Sequence, residues 1–414
     1  MKSVGITAEY NPFHNGHKYN IEQAKSVTGS DCAVVIMSGD FMERGIPAMT
    51  DKFTRARCAL MGGADLVIEL PTVCATASAE LFALGSIGIM NGLGGIDNVA
   101  FGCEASGDDF HRLSEIAEIL SDEPDEYRTL LSDFLSEGLT MPAAREKAVT
   151  SYTGDDTLGS LLSKPNNILA IEYMKALRYH NSPIIPTGIE RKGAGYNDDS
   201  LSSEFASASG IRKAVNSGIS DHVRKFMPEG VFDILQSRGA FKRPVTADDM
   251  SSLLYYALSV NRDSLEKYSD AGTSLANRLR LIMNNASFHS SSFTDIAMSL
   301  KSADITYTRV CRALCHIILG ITADDITGVK ASGCCSYARI LGFNDTGRAF
   351  LSSVKKTSQI PIISNCKDDS SALNGISSRV FQIDKTSADI YNRIVYDISG
   401  RKIKDDFRST VITG

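Results

Sequence analysis

His14 and His17 stand three residues apart, with Asn15-Gly16 between them, after an apolar start (Val4, Ile6, Ala8) and before a run of helical spacing. In-line displacement at the α-phosphorus of a nucleoside triphosphate spreads negative charge over a five-coordinate transition state, and placed imidazole donors stabilise that charge where it develops. Two such donors on one helical turn point to the same side and can grip one phosphate. Gly16 lets the backbone approach the nucleotide, and the helix start adds unpaired N–H groups and a positive dipole end. Elsewhere in a chain the same four residues would read as a surface pair beside a turn. The place after a first strand, where α/β sheets bind nucleotides, favours nucleotidyl transfer. Zinc is a poorer reading because no Cys or carboxylate cluster completes four ligands, and no metal ligand is assigned.

The elements that must position this segment alternate. Apolar runs at Lys2–Ala8, Cys32–Met37, Asp65–Leu70 and Asn98–Phe101 read as strands, and His17–Val27, Asp51–Met61 and Thr76–Met90 as helices between them. Cys32–Met37 is continuously apolar, as a strand buried on both faces is. This rhythm predicts an α/β fold with an N-terminal doubly wound parallel sheet, Rossmann-like, over residues 1–218. A helical insertion is expected over about 108–180 (Phe110–Leu120, Asp125–Ser136, Pro142–Tyr152, Asn166–Tyr179), then a return strand at Pro183–Gly188 and a mobile loop from Glu190 to Glu204. Residues 219–330 read as a helical domain. Residues 331–414 read as a small α/β region, with a strand at Ala338–Phe343 and a helix over Ala388–Tyr396.

Two to three domains suit 414 residues. The absence of an eighteen-residue apolar run predicts no membrane span. Nine cysteines, odd in number and scattered, together with the lack of a basic-then-apolar leader, fit reduced thiols in the cytoplasm. A net charge of −6 argues against nonspecific coating of nucleic acid while leaving room for a local basic surface.

The segment Glu9-Tyr10-Asn11-Pro12-Phe13-His14-Asn15-Gly16-His17 resembles the opening of the bacterial tRNA(Met) cytidine acetate ligases, members of the wider HxGH nucleotidyltransferase superfamily. The likeness continues through Ser38-Gly39-Asp40-Phe41, Arg44-Gly45-Ile46-Pro47-Ala48, Asp51-Lys52, Asp65–Pro71 and Phe101-Gly102-Cys103-Glu104. Lys164–Leu169, Ser207–Arg212 and Tyr337–Phe343 extend it over most of the chain. The resemblance implies that ATP, as a substrate with Mg2+, and acetate give acetyl-adenylate and pyrophosphate. The acetyl group then passes to N4 of the wobble cytidine of elongator tRNA(Met). Two departures stand out, Asp40 where the family carries Asn and Glu43 where Gln is common, each adding negative charge near the pocket.

Carried over residue by residue, the resemblance implies catalytic roles for His14 and His17 and an ATP site of Thr7, Ala8, Glu9, Tyr10, Asn11, Pro12, Phe13, His14, Asn15, Gly16, His17, Lys18, Tyr19 and Asn20 with Gly102, Asn166, Arg191 and Lys192. Ser207, Ser209 and Arg212, at an expected helix start, are candidates for the outer phosphates, against simple serine capping. Arg44, Lys52, Arg55 and Arg57 are candidates for tRNA phosphates, against an ordinary exposed helix face. Cys311, Cys315 and His316 read as core packing. A small-molecule adenylyltransferase of the same superfamily, or an RNA-binding protein with a relic pocket, stays open as the alternative.

Overall fold

The computed structural model describes all residues except 106, 191–205, 219, 220, 241 and 303. Its first half alternates β1 (Ser3–Ala8), α1 (Asn15–Thr28), β2 (Cys32–Ser38), α2 (Lys52–Met61), β3 (Leu66–Leu70), α3 (Thr72–Ala75), α4 (Ala79–Leu93) and β4 (Asn98–Cys103). The helices α5 (Asp108–Asp122), α6 (Asp125–Ser136), α7 (Met141–Thr153), α8 (Asp156–Leu161) and α9 (Pro165–Tyr179) lead to β5 (Ile185–Glu190) and α10 (Ala208–Asn216). Then come α11 (Val231–Ser237), α12 (Ser251–Val260), α13 (Gly272–Met283), α14 (Phe293–Leu300), α15 (Tyr307–Leu319) and α16 (Ala323–Ala331). The chain finishes with β6 (Ala338–Phe343), α17 (Asp345–Val354), β7 (Ile362–Ile363), α18 (Cys366–Asp369), α19 (Gly375–Ser399) and β8 (Ile412–Thr413).

Local chemistry sets these boundaries. The Asp51 carboxylate accepts the Thr54 N–H to start α2, and the Ser207 hydroxyl accepts the Gly210 N–H to start α10. Every residue of β2 and β3 is buried, as central parallel strands with both faces covered must be. One apolar core joins a sheet face to α4, α9, α15 and α19, and a second packs α1, α2, α10 and α11 on the opposite face. The sheet is therefore doubly wound.

Among the described residues the sheet has eight strands in the order β5-β4-β1-β2-β3-β6-β7, with β8 also on β6. The C-terminal strands extend this sheet and build none of their own: β6 runs antiparallel to β3, and Arg339 pairs with Glu69. The expected helix at Ala388–Tyr396 is the end of a 25-residue one. The loop expected from Glu190 to Glu204 lies outside the described residues, save for Glu190, which closes β5. No described helix is long and apolar enough to cross a membrane.

Beneath the sheet's carboxyl edge lies a buried ionic network. Lys52 Nζ is 2.8 Å from Glu69 Oε1 and 2.9 Å from Asp406 Oδ2, and Arg339 Nη1 is 2.8 Å from Glu69 and 2.7 Å from Asp406. Asp40 caps the Lys52 N–H at 2.8 Å, and burial, resisted by Lys52 and Arg55, pushes its carboxyl up to about 7. The folded form thus holds this proton to higher pH than the unfolded chain does. Its stabilising contribution is full at acid pH and is lost as pH rises through about 7. Asp40→Asn, which keeps an oxygen for the Lys52 N–H, is expected to gain more stability near pH 8 than near pH 5, by on the order of 2 kcal/mol. Urea melts at the two pH values check the difference.

Candidate active site

The crevice opens where two strands part. β1 pairs with β4 only as far as Ile6↔Ala100, whereas β4 stays on β5 as far as Cys103↔Glu190. Beyond Ile6 and Ala100 the carboxyl ends separate at the point where strand order reverses, the usual ligand site of open α/β sheets. The cleft there holds about 450 Å³, within the range of nucleotide-sized pockets.

His14 is the N-cap of α1 and His17 lies in its first turn. The Gly16 N–H donates to His14 Nδ1 at 3.1 Å, and the His14 N–H donates to His17 Nδ1 at 3.3 Å. With each Nδ1 accepting, a neutral ring carries its proton on Nε2. The rings stack at 3.7 Å and 28°, and Tyr10 packs edge-on against His17 at 4.8 Å. The doublet is therefore preset as a pair of Nε2–H donors on one side of the cleft. Gly16 serves this pair directly, since a Cβ there would lie 2.9 Å from His14 Cε1. The glycine makes room for an imidazole, where the sequence suggested room for the nucleotide.

Of the expected ATP residues, Thr7, Ala8, Glu9, Tyr10, Asn11, His14, Gly16, His17, Tyr19, Asn20, Gly102 and Asn166 line the cleft. Pro12, Phe13, Asn15 and Lys18 do not: Phe13 is buried in the core, Asn15 Nδ2 donates to the Lys225 carbonyl, and Lys18 faces Glu22 at 3.7 Å. Arg191 and Lys192 lie outside the described residues. Ser207 and Arg212 line the cleft, while Ser209 stands off it, 3.1 Å from the Ser207 hydroxyl. Arg212 Nη1 donates to the Asn11 carbonyl at 2.6 Å. Asn166 is held by Glu104 at 2.6 Å.

The basic cluster needs correction. Lys52 and Arg55 are 2 % and 0 % exposed, so neither can meet an RNA phosphate. Burial demanded partners, and Glu69 with Asp406 takes Lys52 while main-chain carbonyls take Arg55. Arg44 and Arg57 are exposed, Arg44 at the cleft rim. Cys311, Cys315 and His316 are buried, and no cluster of three or more metal-ligating side chains occurs among the described residues.

Sequence reasoning missed the apolar wall, where Phe101 stacks on Tyr173 at 5.3 Å beside Phe82 and Leu169. Tyr173 looked like an ordinary apolar position of a long helix. Glu43 also lines the cleft, its N–H donating to Glu9 Oε1 at 2.8 Å and its carboxylate 3.5 Å from Arg312. Burial, helped by Glu9 and opposed by Arg312, raises its carboxyl to about 7. The tip carrying Glu43 docks where Gly45, at φ +70°, touches the Cys311–Arg312 backbone so closely that a Cβ would lie 2.4 Å from Arg312 N.

A family model described as HIGH Nucleotidyl Transferase matches residues 1–406. The tRNA(Met) cytidine acetate ligase of Clostridium novyi is 41% identical over 87% of this chain and 89% of its own length. That of Acetivibrio thermocellus is 36% identical over the whole of both chains. The apo crystal structure of Thermotoga maritima TmcAL superposes with a TM-score of 0.92 at 31% identity, covering 100% of this chain and 99% of that one. The same protein bound with alpha-thio ATP gives 0.90 at 30% identity over the same shares. With the family model matched over residues 1–406 and relatives at 36–41% identity covered over most of their length, the chain belongs to the tRNA(Met) cytidine acetate ligase family of HIGH nucleotidyl transferases.

Proposed function

We propose that this chain is an ATP-dependent ligase that activates acetate as acetyl-adenylate and acetylates N4 of the wobble cytidine of elongator tRNA(Met). The observation that carries the reading is the preset pair of Nε2–H donors at the β1–β4 crevice. An acetate oxygen attacks the α-phosphorus, the bond to the bridging oxygen breaks, and pyrophosphate leaves. His14 and His17 donate to the oxygens on which charge accumulates. A carboxylate nucleophile needs no base. Arg212, at the cleft and in the first turns of α10, would hold the outer phosphates, and Mg2+ carried by ATP would supply further counter-charge there. The wall of Phe82, Phe101, Leu169 and Tyr173 suits a base, and Gly102 leaves room beside it. Cytidine N4 then attacks the acetyl carbonyl carbon, AMP departs with the former carboxylate oxygen, and N4 loses one proton. A splayed, single-stranded anticodon base reaches such a pocket.

Incubation with ATP, labelled acetate and bulk tRNA tests the reading. Acetate-dependent pyrophosphate release and N4-acetylcytidine in the digested tRNA are expected; release indifferent to acetate, or label absent from cytidine, overturns it. Gly16→Ala is expected to push the His14 ring off the Gly16 N–H and to lower the rate of pyrophosphate release by roughly tenfold or more while barely moving the melting temperature. For the RNA, Arg44→Ala with Arg57→Ala is expected to weaken tRNA binding and reduce its salt slope by about one unit per lost phosphate contact, as filter binding over a salt series reports.

A further inference from the structure

Arg55 is a fully buried cation solvated by main-chain oxygen. Its Nε donates to the Thr50 carbonyl at 3.1 Å, its Nη1 to those of Glu9 at 2.8 Å and Ser38 at 3.0 Å, and its Nη2 to that of Gly39. The β1–β2 ladder ends at Ala8↔Met37, so Glu9 and Ser38 are the residues immediately beyond it. Arg55 spans the gap where the two strands stop holding each other. Burying a guanidinium is tolerated only when its N–H groups find acceptors in a fixed geometry, and a planar fork reaches carbonyls on two sides, which an ammonium cannot.

What leaves the ladder there is the turn that carries the histidines. Tyr10 sits at φ +49°, in the left-handed region that a bulky side chain avoids unless its surroundings enforce it. The turn is tethered before Tyr10 by Arg55 on the Glu9 carbonyl. After Tyr10 it is tethered by Arg212 on the Asn11 carbonyl and by the Met49 N–H on Asn11 Oδ1 at 2.8 Å. The Tyr10 ring touches His17, and His17 holds the His14 N–H. A shift of the Glu9 carbonyl therefore passes through one ring contact to the donor pair.

We propose that Arg55 is a positioning residue for the histidine doublet, locking the exits of β1 and β2 together so that the strained turn delivers both imidazoles to the α-phosphate. This assignment rests on the nucleotidyl-transfer reading above. Arg55→Lys, and Arg55→Gln as a variant that buries no cation, are made in the full chain. Each is assayed for acetate-dependent pyrophosphate release per folded molecule, with thermal melting alongside. The kcat is expected to fall roughly 10²-fold, the scale of an ångström's misplacement, with the KM for ATP within about threefold of wild type because the rest of the cleft is intact.

In ¹⁵N spectra, His14 and His17 of the wild type are expected in the Nε2–H form and those of the variants as tautomer mixtures. This readout needs neither acetate nor ATP and so separates failure of the assignment from failure of the ligase reading. Wild-type kcat with unchanged tautomers overturns the proposal, as does a raised KM with kcat intact. Loss of cooperative folding in both variants overturns it in favour of a purely structural role.

Discussion

Alanine at His14 or at His17 is expected to slow acetyl-adenylate formation by about 10²–10³-fold, the loss of about 2.7–4 kcal/mol that follows removal of one oxyanion donor. The two losses will not add. His17 Nδ1 accepts the His14 N–H and the rings stack, so removing either also loosens the other, and the double variant should fall short of the summed cost. His14 is also a helix cap, which His14→Asn separates from its chemistry. Asparagine caps helices well and can accept the Gly16 N–H, but it lacks a donor at the reach of Nε2. That variant should melt like the wild type and still lose most of the rate. Single-turnover pyrophosphate release, normalised to folded protein, measures all four variants, and wild-type rates in His14→Ala would remove the doublet from the mechanism.

Loss of the Asp406 carboxylate should be the most damaging change to stability. Asp406→Ala leaves Lys52 and Arg339, each 2 % exposed, to share Glu69. Breaking a buried pair in this way costs about 3–5 kcal/mol, a large part of the 5–15 kcal/mol that holds a typical domain. Burial alone would raise the Asp406 carboxyl, but Lys52 and Arg339 outweigh it and hold it well below the usual carboxylate range. Its contribution is therefore full above the unfolded value near 4 and is lost as pH falls below it. Urea titrations at neutral and acid pH should show the variant far less stable at neutrality and the gap narrowing in acid. A constant gap would mean that Asp406 acts by packing and not by charge.

These two sites differ in how far the sequence disclosed them. The first four strands announced themselves as apolar runs, and the His-x-Gly-His turn could be placed because it followed the first of them. Lys52 and Arg55 misled for a physical reason. In α2 they have the spacing of a solvated face, and what buries them is a set of acceptors scattered from Glu9 to Asp406. One local sign existed: Glu69 interrupts an otherwise apolar strand, Leu66–Leu70, and a carboxylate in a strand buried on both faces must have a cation near it. The strand at Ala338–Phe343 was legible as a strand, but its partner was not, because antiparallel pairing with β3 across some 270 residues leaves no periodicity to read. Helix α19 was read short because Asp384 and Ser387 look like loop residues, whereas both are buried, Asp384 accepting the Thr72 N–H and the Tyr337 hydroxyl proton.

That antiparallel closure bears on biosynthesis. While the ribosome has yet to make β6, the open edge of β3 offers unpaired N–H and C=O groups to any passing strand. Lys52, a cation meant for burial, meanwhile lacks Asp406. The nascent chain must carry this half-built edge through the synthesis of the whole helical segment, the interval in which a holdase-type chaperone would find most to bind.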